Sequence, residues 1–258
     1  MARLSFGIAA IALTLVGPAR AEWSVTGSQA ERGNADVEHR KVVLAESVTG
    51  ADATLELALF STKSATLRVI DNPNGDGNLA AAMLREQCIA GVNGGYFDPE
   101  DAPVGLLITD GRLVAPFRKA RLLSGVVSAG GGRVQIQRSA EFSTKTNPTA
   151  ARQSGPFLVE RGKPIVGLND TRSARRTFVA TGGGDRAAIG YCSHVTLAQL
   201  AALLATTDLA PNTKVQRALN LDGGSSSAFW FAGKNGPFSI REQKRVRDYL
   251  AIVAKPAL

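Results

Sequence analysis

The chain of 258 residues has only two histidines, His39 and His194, and only two cysteines, Cys88 and Cys192. A two-metal phosphoesterase needs several histidine and carboxylate ligands, and this chain is poor in them. Neither a CxxC pair nor a Cys/His spacing occurs, which argues against a structural zinc site. The two cysteines leave a disulfide and two buried thiols both open, because sequence does not give the distance between them. There is no G-x-S-x-G and no S-x-x-K, so the usual serine-hydrolase signatures are missing. His194, just ahead of a helix, is the remaining candidate for a histidine base. A phosphate-binding P-loop and a dinucleotide fingerprint are absent too. Aromatic residues make up 6% of the chain, too few for a base-stacking platform.

Charge and hydropathy are equally undramatic. Charged residues make up 20% and hydrophobic residues 44%, values of a globular domain with ample material for a core. The basic groups Arg118-Lys119-Arg121, Arg172-Arg175-Arg176 and Lys244-Arg245-Arg247 are short and dispersed. No long basic block marks a nucleic-acid partner. Only the N-terminus departs from this pattern. Arg3 precedes an apolar run from Phe6 to Val16, and Ala19-Arg20-Ala21 follows. That is the layout of a secretory signal peptide over residues 1–21, with a run shorter than the ~20 residues that span a bilayer. Its removal would take away Arg3 and Arg20 and lower the net charge from +8 to +6. The expected product is an exported protein, periplasmic or secreted, with no stable membrane insertion.

Residues 22–258 contain no repeat, long linker or low-complexity stretch, and read as one domain. Residues 22–40 are polar and read as an irregular lead-in. Alternation over Thr54–Phe60, then Ala65–Ile70, suggests a hairpin. In the loop that follows, Asn72, Asn74, Asp76 and Gly77 fit part of a calcium-loop template. Met83 occupies the position where glutamate is needed. A turn with Asn78 capping a helix from Leu79 fits better. Glycine-containing turns predict further hairpins near Asp110-Gly111, Gly130–Gly132 and Gly182–Gly184. Thr196-Leu197-Ala198-Gln199 is a capping box opening a second helix. Many short strands and two helices give an α+β fold, a mixed and mainly antiparallel sheet packed on a few helices.

Two strand-to-glycine transitions stand out. One is Asn93-Gly94-Gly95-Tyr96-Phe97-Asp98; the other is Asn220-Leu221-Asp222-Gly223-Gly224-Ser225. Each puts a carboxylate, Asp98 or Asp222, beside backbone freed of side-chain bulk. Both also fit ordinary loop chemistry. Arg175 and Arg176 begin a strand and could fork onto phosphate oxygens or form surface ion pairs. Carboxylate, arginine, amide and glycine are the chemistry that remains once metals and triads are set aside.

In order, Asn93-Gly94-Gly95-Tyr96-Phe97, Ser154-Gly155-Pro156, Arg176-Thr177, the helix from Thr196 and Asn220-Leu221-Asp222-Gly223-Gly224-Ser225-Ser226 resemble the phosphodiester glycosidase family. The resemblance runs from about residue 40 to 254. It implies hydrolysis of a sugar-1-phosphodiester, such as an N-acetylglucosamine-1-phosphodiester, at the anomeric C–O bond, with no metal or organic cofactor. Under it, Asp222, Arg176 and Asn93 are the catalytic candidates. Gly94, Gly95, Asp98, Arg175, Thr177, Asn220, Gly223, Gly224, Ser225 and Arg245 are candidates for holding substrate. The partner is then a small-molecule or glycan phosphodiester, not a nucleic acid. The chain departs from the family at Arg175, an extra arginine beside Arg176-Thr177, and it lacks the cysteine-rich extensions of the mammalian member. Two other readings are a non-catalytic module binding phosphorylated cell-envelope glycans and a phosphodiesterase cutting P–O.

Overall fold

The computed structural model describes residues 23–48, 50–206 and 213–256. The expected signal peptide lies outside these residues. Among them the fold is α+β, with two α-helices and three antiparallel sheets. The eight-stranded sheet has at its centre Asp52–Ser61, Arg186–Val195, Ala174–Thr181 and Arg217–Asn220, side by side in that order. A second sheet centres on Ala150–Ser154, and a third on Ala90–Asn93 and Asp248–Ala254.

One hydrophobic cluster takes side chains from all three sheets, including Phe60, Val69, Val92, Val127, Phe157, Leu219 and Ile252. The two helices cover outer faces. Leu197–Thr206 puts Leu200, Leu203 and Leu204 into a second buried cluster that also holds Leu55, Leu57 and Leu59, the alternating leucines of Asp52–Ser61. Leu79–Arg85 packs Leu79 and Met83 near Trp230 and Tyr249. Both expected caps form. The Asn78 side chain accepts from Ala81 N, and Thr196 and Gln199 bond reciprocally at 2.9 and 3.1 Å.

Two local expectations fail. Residues 22–40 are not an irregular lead-in, because Trp23–Arg32 is a strand paired with Glu38–Glu46. It lies at the sheet's edge and is largely exposed, so its polar sequence carries no alternation to read. Nor do Asp52–Ser61 and Ala65–Asp71 form a hairpin. Both edges of Asp52–Ser61 are already taken, by Glu38–Glu46 and Arg186–Val195. The chain turns instead into the third sheet, where Ala65–Asp71 pairs with Asp248–Ala254.

Cys88 and Cys192 are both buried and free. His39 is buried, with Nε2 2.8 Å from Glu56 Oε2.

Candidate active site

Asp222 sits two residues beyond the end of Arg217–Asn220 in the first sheet, bonded to Asn93 of the third sheet, while Asn220 bonds Gly155, the residue after Ala150–Ser154 of the second. Its backbone is fixed from two sides. The Asp222 N–H donates to Gly94 O at 3.1 Å. The Asp222 carbonyl accepts from Asn93 Nδ2 and from Thr177 Oγ1, each at 2.7 Å. Asn93 and Thr177 are completely buried. The other end of the Asn93 amide accepts from Ala228 N at 3.1 Å, so both ends of the amide are engaged. These two residues hold the aspartate in place through its main chain.

The Asp222 carboxylate keeps local donors. Gly223 N donates to Oδ1 at 2.9 Å, and Ser226 Oγ donates to Oδ2 at 2.5 Å. Burial pushes the pKa of this carboxyl up from the ordinary aspartate range. The Ser226 hydroxyl, the Lys244 charge and the Gly223 amide pull it back, while the Asp248 charge adds to the rise.

Tyr96 and Arg176 complete the surroundings. Tyr96 Oη donates to Gly155 O at 2.5 Å and lies 3.2 Å from Asn220 Nδ2. Burial, then the Asp222 charge, pushes its phenol up to about 12, so it stays protonated at neutral pH. Arg176 donates through Nε to Val195 O at 3.2 Å and through Nη2 to Arg172 O at 2.7 Å. Its Nη1 lies over the turn, 3.6 Å from where a Cβ on Gly223 would sit. Burial lowers its pKa, yet a guanidinium remains cationic at neutral pH. No carboxylate pairs with it among the described residues. Unpaired buried polar atoms gather at the same junction: Ser154 Oγ, Asn220 Oδ1, Ser227 Oγ and Arg175 Nε.

The remaining candidates divide. Arg175 is spent on structure: its Nη2 donates to the carbonyls of Ser227 and Arg241, and its guanidinium lies 5.5 Å from the Tyr191 ring. Asp98 closes a turn by accepting from Glu100 N and Ala102 N at 3.1 and 2.8 Å. Arg245 is held by Asn74 O at 2.5 Å and Asp101 at 3.3 Å. Asn220 is buried, and its Nδ2 donates to Gly155 O and Leu221 O. Gly224 adopts φ +65° with open space above it, and Ser225 is exposed. His194 is exposed, on the strand Arg186–Val195.

Gly94 and Gly95 do not offer their N–H groups to a ligand. Gly94 N donates to Asp248 O at 2.7 Å and Gly95 N to Asp248 Oδ1 at 3.2 Å. A Cβ on Gly94 would fall 1.7 Å from Asp248 Oδ1, and one on Gly95 2.6 Å from Arg152 Cζ. These glycines are required by a buried ion pair under the loop. Arg152 Nε lies 3.0 and 3.1 Å from the two Asp248 oxygens, with both side chains wholly buried. Arg152 also donates to Tyr96 O at 2.6 Å and to the carbonyls of Val104, Leu106 and Gln153. Gly94→Ala should therefore lose about 1–3 kcal/mol of stability, the cost of overpacking, in urea denaturation.

Sequence reasoning gave no site role to Arg152, Asp248 or Lys244, nor to Ser226, although Ser226 closes the motif quoted above. Ser226 had a local signal, four residues after Asp222 in a glycine-rich turn. The buried pair had none, since its partners lie far apart in the chain.

This is an antiparallel, three-sheet α+β domain in which the half-buried Asp222 shares its turn with Arg175 and Arg176, neither of which has a carboxylate partner among the described residues. Residues 86–253 match the family model described as phosphodiester glycosidase (NAGPA), and the chain belongs to that family. The fold is similar to that of the zebrafish N-acetylglucosamine-1-phosphodiester alpha-N-acetylglucosaminidase catalytic domain, auto-inhibited by its pro-peptide. The TM-score is 0.62 at 14% identity, covering 91% of this chain and 84% of that one. A Synechocystis protein matches with a TM-score of 0.62 at 12% identity, over 85% of this chain and 62% of that one. The Escherichia coli K12 protein YigE is 30% identical over 136 residues. The aligned part is 46% of this chain and spans about half, 54%, of that relative.

Proposed function

We propose that the chain is an exported hydrolase that cleaves a sugar-1-phosphodiester at the anomeric C–O bond. One observation carries this reading: Asp222 and the unpaired Arg176 border the same glycine turn, in a chain of the phosphodiester glycosidase family. A carboxylate opposes the positive charge that develops at an anomeric carbon. An arginine without a carboxylate partner suits the phosphate that departs.

In this reading Asp222 faces C1 of the sugar. The C1–O bond breaks, and its electron pair leaves on the phosphate oxygen, which Arg176 holds. Phosphate departs readily, so a strong acid behind it is unnecessary. Water then supplies the oxygen that joins C1 and gives up its proton to solvent. In the same reading the Gly224 and Ser225 amides of the turn would donate to the departing oxygens. Asn93, Thr177 and the Arg152–Asp248 pair keep Asp222 and the Asn93–Tyr96 loop in place. The export part of the proposal is supported by the signal-peptide-like sequence of residues 1–21.

The test is a screen of purified protein beginning at Glu22 against sugar-1-phosphodiesters, reading release of free reducing sugar. Release from an N-acetylglucosamine-1-phosphodiester supports the proposal. Tight binding without release across the screen would instead indicate a glycan-binding module.

The pH profile gives a finer check. The working form of Asp222 is the carboxylate, and burial raises its pKa. Activity should fall as pH drops through that raised value, above the ordinary aspartate range. Ser226→Ala removes a donor that favours the charged form, so the acid limb of kcat/KM should move to higher pH. An unmoved limb would mean that Asp222 does not govern it.

A further inference from the structure

A cleft of about 480 Å³ runs beside the Asp222 turn, lined in part by Gly77, Asn78, Arg241, Glu242, Lys244 and Arg245. Two hydrogen bonds fasten its wall to the turn. Gln243 N donates to Ser225 O at 2.7 Å, and Arg175 Nη2 donates to Arg241 O at 2.7 Å. The Lys244 charge is close enough to act on the Asp222 carboxylate. The cleft thus lies next to the candidate site, its wall bonded to the Asp222 turn.

Its charges are unevenly spent. Arg245 is held by Asp101 and Asn74 O. Glu242 turns Oε1 to Leu79 N at 2.7 Å, with Tyr249 Oη at 3.4 Å, and its Oε2 has no donor. Arg241 and Lys244 are exposed, and neither has a carboxylate within ion-pair distance among the described residues. The Lys244 ammonium lies 4.9 Å from the Phe97 ring. A single exposed cation is ordinarily just solvated. Two of them in one cleft, beside a site suited to a phosphodiester, leave a place for a second negative charge.

We propose that the leaving portion of the substrate lies in this cleft and carries an anionic group, a phosphate or carboxylate, bound by Arg241 and Lys244. This rests on the glycosidase reading for the position of the scissile bond. It adds that the group beyond that bond is charged.

The experiment compares two N-acetylglucosamine-1-phosphodiesters at low salt, one ending in glycerol and one in glycerol phosphate. KM for the charged substrate should be about 10-fold lower, the size of effect expected of charge-assisted contacts. In Arg241→Ala/Lys244→Ala, with its melting temperature checked against the parent, the ratio should fall towards 1. Equal KM values in the parent, or a preference that survives in the double variant, overturns the inference. Calorimetry with glycerol 1,3-bisphosphate, which has no sugar, separates the two claims. Binding that the double variant loses, without turnover of either ester, would keep the cleft and remove the glycosidase. Turnover with no preference and no bisphosphate binding would do the reverse.

Discussion

Asp222→Asn should lower kcat/KM on a sugar-1-phosphodiester by at least about 10²-fold, the usual cost of removing a group that stabilises charge in the transition state. The substitution is nearly isosteric. An asparagine oxygen can still accept from Gly223 N or from Ser226 Oγ, the two donors on the present carboxylate. The backbone bonds from Asn93 and Thr177 go to the Asp222 carbonyl and do not change. The fold should therefore survive. Linkage points the same way: a carboxyl whose folded pKa is raised costs stability above that pKa, and the cost disappears as pH falls towards the unfolded value. A neutral Asn removes that cost at neutral pH, so the variant should be at least as stable as the parent. Lost turnover with an unchanged or higher melting temperature separates chemistry from folding. Arg176→Ala should also lose activity, with the greatest loss on substrates whose leaving phosphate is least stabilised on its own.

The second large effect is on stability. Asp248→Ala strands the Arg152 guanidinium at a place with no solvent access. Breaking a buried pair by removing one partner costs about 3–5 kcal/mol, because the remaining charge is uncompensated. Equilibrium unfolding in urea should show a loss of that size, enough to unfold much of a marginally stable domain. Replacing both members, as in Arg152→Met/Asp248→Leu, should recover a good part of it. Activity should not return with it. Arg152 Nη2 holds Tyr96 O, and the Asp248 carboxylate holds the amide of Gly95, while Gly94 N bonds the Asp248 main-chain carbonyl and keeps that bond. Without those two side-chain bonds the Gly95–Tyr96 part of the loop loses its anchors, next to the Gly94 carbonyl that Asp222 N needs. A double variant that is both stable and fully active would show that the pair serves stability alone.

How much of this could be read from the chain depended on how local each cause was. The capping box at Thr196 and the Asn78 cap are set within four residues, and both form as read. The leucine alternation of Asp52–Ser61 reports a face that is truly buried. Trp23–Arg32 was hidden because an edge strand with little buried surface has no pattern to show. The path of Ala65–Asp71 was hidden because it depends on which strands already flank its predecessor, a property of the whole sheet.

The same division holds at the site. Glycines 94 and 95 were visible as unusual, but their cause was not. The sequence suggests backbone bared to a ligand, whereas Asp248 and Arg152 approach from below. Those partners lie more than fifty residues away, and no local spacing announces them. Asp222 was conspicuous because its own surroundings, two glycines and three serines, include the donor it uses, Ser226. Arg175 and Arg176 look alike as neighbours in sequence. The strand pairing is irregular at Arg175, and the two side chains part there: Arg175 bonds Ser227 O and Arg241 O, whereas Arg176 bonds Val195 O and Arg172 O with Nη1 near Gly223.

The central claim is that bond cleavage occurs at the sugar carbon, opposite Asp222, and not at phosphorus. Hydrolysis of an N-acetylglucosamine-1-phosphodiester in ¹⁸O-water, with mass analysis of both products, tests it directly. The account predicts the label in the released sugar and none in the phosphate. Label in the phosphate would contradict it.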